Sequence, residues 1–253
     1  MKYTVLSLFP QIIDAYFANS IMARAIKRGL VEYSPVNIRD YATDKHKTCD
    51  DSPYGGGPGM LMLAEPLARA LEASGVKKKG AGTQEVFSVY LTPSGTPFNQ
   101  KTARKLASKK ELVLICGRYE GIDQRIIDLY VDEEISVGDY VLSSGEIAAL
   151  VLIDATYRLI EQVITPESLT EESFNTGLLE YPQYTRPEIY DTLKVPDVLI
   201  SGHHENIRRW RLEKQVEKTI GLRPDLIRQG LEMGLFDAET RGIIERQMNG
   251  HEE

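Results

Sequence analysis

The chain has 253 residues, 42% of them apolar and 26% charged, with a formal net charge of −7; this is the balance of a folded globular protein, and it excludes a disordered chain and a surface coated with nucleic acid on all sides. The length permits a substantial core, arranged as one medium domain with a smaller appendage. The two cysteines, Cys49 and Cys116, stand in unrelated contexts, so neither a zinc site nor a disulfide framework is expected.

The opening run "MKYTVLSLFPQIIDAYF" is broken by Pro10 and Gln11, and no stretch of about 18 apolar residues occurs, so a cytoplasmic protein without a membrane span is expected. Residues 2–9, "KYTVLSLF", alternate and are rich in β-formers, which predicts a strand. The run after Pro10 has helical spacing and closes on Gly29, and "VNIRDYA" predicts a second short strand. A long loop follows, with Gly55, Gly56, Gly57 and Gly59 set between Pro53 and Met60.

"AEPLARALEASG" returns to helical spacing, with Pro66 in the first turn, where its missing N–H costs nothing. "EVFSVYLTPSG" predicts a strand ending in a turn, "NQKTARKLASKK" a helix, "ELVLICG" an apolar strand, "GIDQRIIDLYV" a helix and "EEISVG" a further strand. The alternation is β/α, and runs such as "LVLIC" suit a parallel sheet covered on both faces. "EIAALVLIDATYRLI" predicts the helix that ends this part. Past Arg158 the texture turns polar and acidic, which places a boundary and a flexible linker there. Beyond it lie an irregular stretch rich in Pro and Tyr, a helix over "HENIRRWRLEKQVEKTI" with Ser201 as its cap, and a helical tail.

Charge is uneven along the chain. Arg24, Lys27, Arg28, Arg39, Lys45 and Lys47 outnumber Glu32, Asp40 and Asp44, and the window 205–228 is likewise net basic; solvated helix faces account for most such runs. Three strand ends share a loop chemistry of small residues around a large apolar one: "YLTPSG" (90–95), "CGRYEG" (116–121) and "SVGDYVLSSG" (136–145). None is a phosphate cradle, because the G-x-G-x-x-G and G-x-x-x-x-G-K-[ST] patterns are missing and "GGGPGM" has no lysine or hydroxyl. Apolar lining with free backbone groups suits an adenine ring and a thioether cofactor better than a dinucleotide.

"YGGGPGM" (54–60), "CGRYEGID" (116–123), "EISVGDYVLSSGE" (134–146), "GLLEYPQYTRPE" (177–188) and "SGHHENIRRWR" (201–211) together resemble the bacterial tRNA (guanine-N1)-methyltransferases. These belong to the knotted (SPOUT) class that uses S-adenosylmethionine. The likeness runs in one order to about residue 211 and implies an α/β domain over 1–161 with a parallel sheet and a deep trefoil knot. It also implies a linker over 162–176, a small helical tRNA-binding domain over 177–253, and a homodimer with shared active sites. Periodicity could not have predicted a knot, since true knots are nearly absent from folds.

The resemblance implies that Tyr90, Leu91, Pro93, Gly117, Tyr119, Glu120, Ser136, Val137, Gly138, Asp139, Tyr140, Val141, Leu142, Ser144 and Gly145 hold the cofactor, the backbone of 137–142 wrapping its adenine. The substrate it implies is the guanosine 3′ of a tRNA anticodon, with Asp50 and Gly59 near the target and its 5′ neighbour, and Arg208 and Arg209 gripping the anticodon arm. The ring N1 carries a proton at neutral pH, so a base must remove it while a cation steadies the charge that builds on the guanine carbonyl oxygen. The family base is an Asp in "EDSF"; here "EESF" places Glu172 there, with Glu171 a rival, and Arg158 matches the family arginine. Glu is a carboxylate of similar basicity with one more methylene.

Ser52, Ser144, Ala148 and "IEQ" (160–162) are further departures from the family pattern, and none removes a group the chemistry must have. Trp210 fits either a core position or a stacking platform. Magnesium is linked to the family's activity, yet the acids here show no ligand spacing. Two other readings stay open: a ribose 2′-O methyltransferase of the same fold class, and a non-catalytic RNA-binding protein that kept the pocket.

Overall fold

The computed structural model describes residues 1–83, 85–164 and 172–249. The chain divides into two compact units, Met1–Ile164 and Thr165–Glu253. In chain order the first unit contains β1 (Lys2–Ser7), α1 (Gln11–Phe17), α2 (Ser20–Lys27), β2 (Glu32–Asn37), a 3-10 turn (Ile38–Tyr41), β3 (Asp50–Asp51), β4 (Leu61–Met62) and α3 (Ala64–Ala73). It continues with β5 (Phe87–Pro97), α4 (Gln100–Ala107), β6 (Glu111–Cys116), α5 (Gln124–Tyr130), β7 (Glu133–Ser136) and α6 (Gly145–Tyr157). Five strands form one sheet in the order β2-β1-β6-β5-β7, and every pair is parallel.

The apolar strands β1 and β6 sit in the middle of this sheet and are buried along almost their whole length. Their alternate residues feed two cores. Tyr3, Val5, Leu112 and Leu114 pack with Ile13, Met22, Leu106 and Leu152 on one face. Leu6, Val113 and Ile115 pack with Leu67, Leu71, Ile126 and Tyr130 on the other. A strand with apolar side chains on both sides can only rest between two helical layers, which is why these runs lack polar alternation. Tyr3 Oη and Thr156 Oγ1, 2.8 Å apart and buried, tie α6 to β1.

Several local expectations are corrected. The helix expected from Gln11 to Gly29 breaks in two: Asn19 is extended, its side chain donates to Ala15 O at 2.7 Å, and Ser20 has φ +60°. An Asn that bonds a nearby backbone carbonyl offers the chain an alternative to continued helix. The second strand starts at Glu32, and Asn37, whose side chain accepts from Arg39 N, ends it in the 3-10 turn instead of letting it run through Tyr41. Pro35 is tolerated because β2 is an edge strand. β5 does not stop at "TPSG": its pairing with β7 lapses after Leu91 and resumes at Thr96, so residues 92–95 bulge out of the ladder.

In the second unit the stretch expected to be irregular holds a hairpin, β8 (Ile189–Tyr190) with β9 (Leu193–Lys194), followed by α7 (Asp197–Ile200), α8 (His204–Leu222), α9 (Pro224–Glu232) and α10 (Ala238–Asn249). Leu178, Val216, Ile227, Phe236, Ile243 and Ile244 make its core. Ser201 does not cap α8; His203 holds that position without a side-chain bond, and Ser201 Oγ accepts from His203 N at 3.2 Å. Trp210 belongs to neither extreme, being half-buried with its ring 6.4 Å from that of Tyr184. Of the expected linker, residues 165–171, including Glu171, lie outside the described residues. No described helix is long and apolar enough to cross a membrane.

Candidate cofactor cleft

The C-terminal ends of β5, β6 and β7 lie side by side, and the loops that leave them enclose a cleft of about 200 Å³. Crevices at the carboxyl ends of parallel strands are where open α/β sheets take ligands. One wall is the β5 bulge with Thr92 and Pro93, the second is 117–121 and the third is 136–145.

Glycines set how close these walls stand. A Cβ on Gly117 would lie 2.9 Å from Tyr90 Cε2, and one on Gly145 would lie 2.7 Å from both Cys116 Cα and Gly117 N. Gly145 N donates to Gly117 O at 2.9 Å, so α6 begins directly against the end of β6. Gly138 has φ +152°, and a Cβ there would meet the Tyr140 ring. The third loop is tied to itself: Tyr140 N donates to Gly138 O at 2.9 Å, Tyr140 Oη to Val137 O at 3.1 Å, and Ser136 Oγ to Gly138 O at 3.1 Å.

That loop leaves Tyr140 55% and Val141 85% exposed at the rim. Exposed apolar groups around a concave, backbone-rich site mark a place for a ligand with flat or apolar surface. Burial raises the Tyr90 hydroxyl above the usual phenol range, which keeps it a neutral donor. Burial also pushes the Cys116 thiol well up, with the nearby Glu146 carboxylate adding to it, so this cysteine is no nucleophile.

The glycine-rich loop seats itself beside the cleft. Glu120 N donates to Met60 O at 3.0 Å, Met62 N to Gly121 O at 2.9 Å, and Tyr119 Oη to Asp50 Oδ1 at 3.4 Å. A Cβ on Gly59 would strike the Glu120 side chain. Asp50 and Gly59, far from 117–121 in sequence, are thus brought to the same lip.

Every residue expected to hold the cofactor lines the cleft apart from Asp139, which is exposed outside the lining. Thr92, Arg118, Gly121 and Ser143, which lie in the three strand-end loops singled out in the sequence, also line it without having been named as cofactor contacts, as do Ile135 and Ala148. Arg118 carried the further signal of a cation inside "CGRYEG"; Ala148 sits one helical turn beyond Gly145 and is found only by helix geometry. Arg158 caps the far end of α6, about 20 Å from Gly145 at the helical rise per residue, so it does not reach the cleft of its own chain. Glu172 belongs to the second unit, where its carbonyl accepts from Asn175 N at 3.3 Å and the next turn is closed by Ser173 and Glu180, which exchange bonds of 3.3 and 3.0 Å. Arg208 and Arg209 are exposed on α8 and ion-paired, Arg208 to Glu205 and Glu239 at 2.7 and 2.9 Å and Arg209 to Glu213 at 3.2 Å. These hydrogen bonds hold the Arg208 guanidinium above even its ordinary range. No group of three or more His, Cys, Asp or Glu gathers as a metal set among the described residues.

The family model described as tRNA (Guanine-1)-methyltransferase TrmD matches residues 1–229. A tRNA (guanine-N(1)-)-methyltransferase of Treponema denticola is 55% identical over 249 residues, covering 98% of this chain and all of the relative. The proteins of the same name from Borreliella burgdorferi and Treponema pallidum are 58% and 56% identical, over 92% and 96% of this chain and 95% of each relative. With the cleft at the expected strand ends and likeness along nearly the full length, the chain belongs to the tRNA (guanine-1)-methyltransferase family.

Proposed function

We propose that this protein transfers the methyl group of S-adenosylmethionine to N1 of the guanosine immediately 3′ of the anticodon in tRNA. The glycine-walled cleft at the ends of β5, β6 and β7 carries the reading. Its chemistry fits the cofactor: the 137–142 backbone offers donors and acceptors to an adenine edge, Tyr140, Val141 and Leu142 cover an apolar face, and Gly117, having no Cβ, lets the Tyr90 ring pack against the end of β6. When bound, S-adenosylmethionine supplies an electrophilic methyl on a sulfonium.

The chain's own residues do the rest. Glu172 accepts the N1 proton of guanine, and the freed lone pair becomes the nucleophile. Arg158 donates to the carbonyl oxygen on which the negative charge accumulates. Asp50 and Gly59 hold the target and its 5′ neighbour at the lip, the target being turned out of the stack to reach the cleft. Because Arg158 stands a helix length from its own cleft, a homodimer in which each subunit completes the other's site accounts for its role. The same family membership supports the trefoil knot in the first domain. The second domain would contribute Arg208 and Arg209 to the anticodon arm, by releasing their present carboxylate partners. Such a reaction belongs in the cytoplasm. Magnesium finds no set of three or more His, Cys, Asp or Glu among the described residues.

The test is to incubate the full-length protein with S-adenosylmethionine and two tRNA transcripts that differ only in G or A 3′ of the anticodon, then to map the methyl by mass spectrometry. Methylation of N1 on the G transcript alone is the expected result. A methyl on ribose would replace the reading by 2′-O transfer, and cofactor binding without transfer would leave an RNA-binding protein.

A further inference from the structure

Beneath the cleft lies a buried carboxylate that the proposed reaction does not use. Glu146, in the first turn of α6, is 1% exposed. Its Oε1 accepts from Ser7 Oγ at 2.5 Å, whereas Oε2 has no hydrogen-bond partner among the described residues. The nearest cation is Arg118, with Nη1 3.9 Å away, an open ion pair in place of a closed one. A carboxylate buried at this cost stabilises little by itself and is better explained by what it orients.

What it orients is a guanidinium at the cleft lip. Arg118 lies with its Cζ 4.6 Å from the centre of the Phe9 ring, and Arg39 lies 5.8 Å from the same ring. Phe9 N donates to Ser7 Oγ at 2.7 Å, so ring, hydroxyl and carboxylate form one network. The residues come from the ends of β2, β1 and β6, three neighbours in the sheet. Arg118 lines the cleft and Arg39 does not, so the two positive groups start at the lip and continue away from the cofactor space. One small carboxylate would need only the first; a chain of phosphates spans both.

We infer that Arg118 binds a backbone phosphate of the RNA beside the target nucleotide, with Arg39 flanking it, and that Glu146 is the positioning residue that fixes the Arg118 guanidinium. The planar fork suits phosphate oxygens, and the Phe9 ring and Glu146 fix its direction before RNA arrives. This rests on RNA being the substrate of the cleft.

The experiment measures tRNA affinity of the full-length protein against salt concentration, and S-adenosylmethionine affinity by calorimetry, for wild type, Arg118→Gln, Arg118→Lys, Arg39→Gln, Glu146→Gln and the Arg118→Gln/Glu146→Gln double variant. Arg118→Gln should weaken tRNA binding about fivefold to tenfold and lower the slope of log K on log salt by about 1, with cofactor affinity changed less than about twofold. Arg118→Lys should keep most of the slope, and Arg39→Gln should lower it by a smaller amount. Glu146→Gln should weaken tRNA binding in the same direction, and the double variant should be no weaker than Arg118→Gln, since both act on one contact. An unchanged slope with weakened cofactor binding would assign Arg118 to a cofactor carboxylate and overturn the inference. Additive losses in the double variant would reduce Glu146 to a structural part. A wild type that methylates G while Arg118→Gln keeps its slope sinks the inference alone; a wild type that binds no tRNA sinks the function first.

Discussion

The first unit holds a cleft whose walls are brought together by glycines, and the second presents charged side chains that bond one another. In the cleft, Gly117 and Gly145 stand where any Cβ would meet the Tyr90 ring or the Cys116 backbone, so neither position tolerates a substituent. On α8, Arg208 and Arg209 are exposed and already paired with Glu205, Glu239 and Glu213. A backbone site fails as a whole when one wall moves. A charged face loses its contributions one at a time, each moderated by solvent and by the partners it must leave.

The contrast can be broken or sharpened by variants. The largest effect is expected from the proposed base: Glu172→Gln should lower the single-turnover rate of methyl transfer roughly a hundredfold to ten-thousandfold, with cofactor affinity unchanged in calorimetry. An active Gln variant would move the base elsewhere, with Glu171 the first candidate. Next comes Gly145→Val, which drives a branched side chain into the Cys116 backbone and should lower unfolding free energy by about 3 kcal/mol in denaturant titration while abolishing cofactor binding. Gly230→Ala is the matched probe of the second unit, because its Cβ would strike the Phe236 ring. It should cost about 2 kcal/mol and leave the cofactor affinity of the cleft unchanged. Smallest is Arg208→Gln, which should leave the melting temperature where it was and weaken tRNA binding about threefold, the loss fading as salt rises.

Much of the first unit was legible because its signals are local. A run such as 112–116 can only be a strand covered on both faces, and the glycines of 117, 138 and 145 announce close backbone approach before any contact is known. What escaped was set by partners distant in sequence. The lapse in β5 pairing after Leu91 depends on β7, and it converts an expected turn into a cleft wall. The seating of Met60 against Glu120 and the burial of Glu146 against Ser7 join positions that share no periodicity. Asn19 escaped for the opposite reason: its bond to Ala15 O is local, but the apolar spacing runs on through it and hides the break. The charges of α8 were legible as a basic run, and their pairing with Glu239 was not.

The claim that the loops at the ends of β5, β6 and β7 are the cofactor site is tested most directly by backbone amide exchange on the full-length protein with and without S-adenosylmethionine. The structure predicts that added protection concentrates in 117–121 and 137–145, where the walls are main chain. Protection confined to other segments, such as 41–54 or 181–188, with these loops exchanging as before, would contradict it.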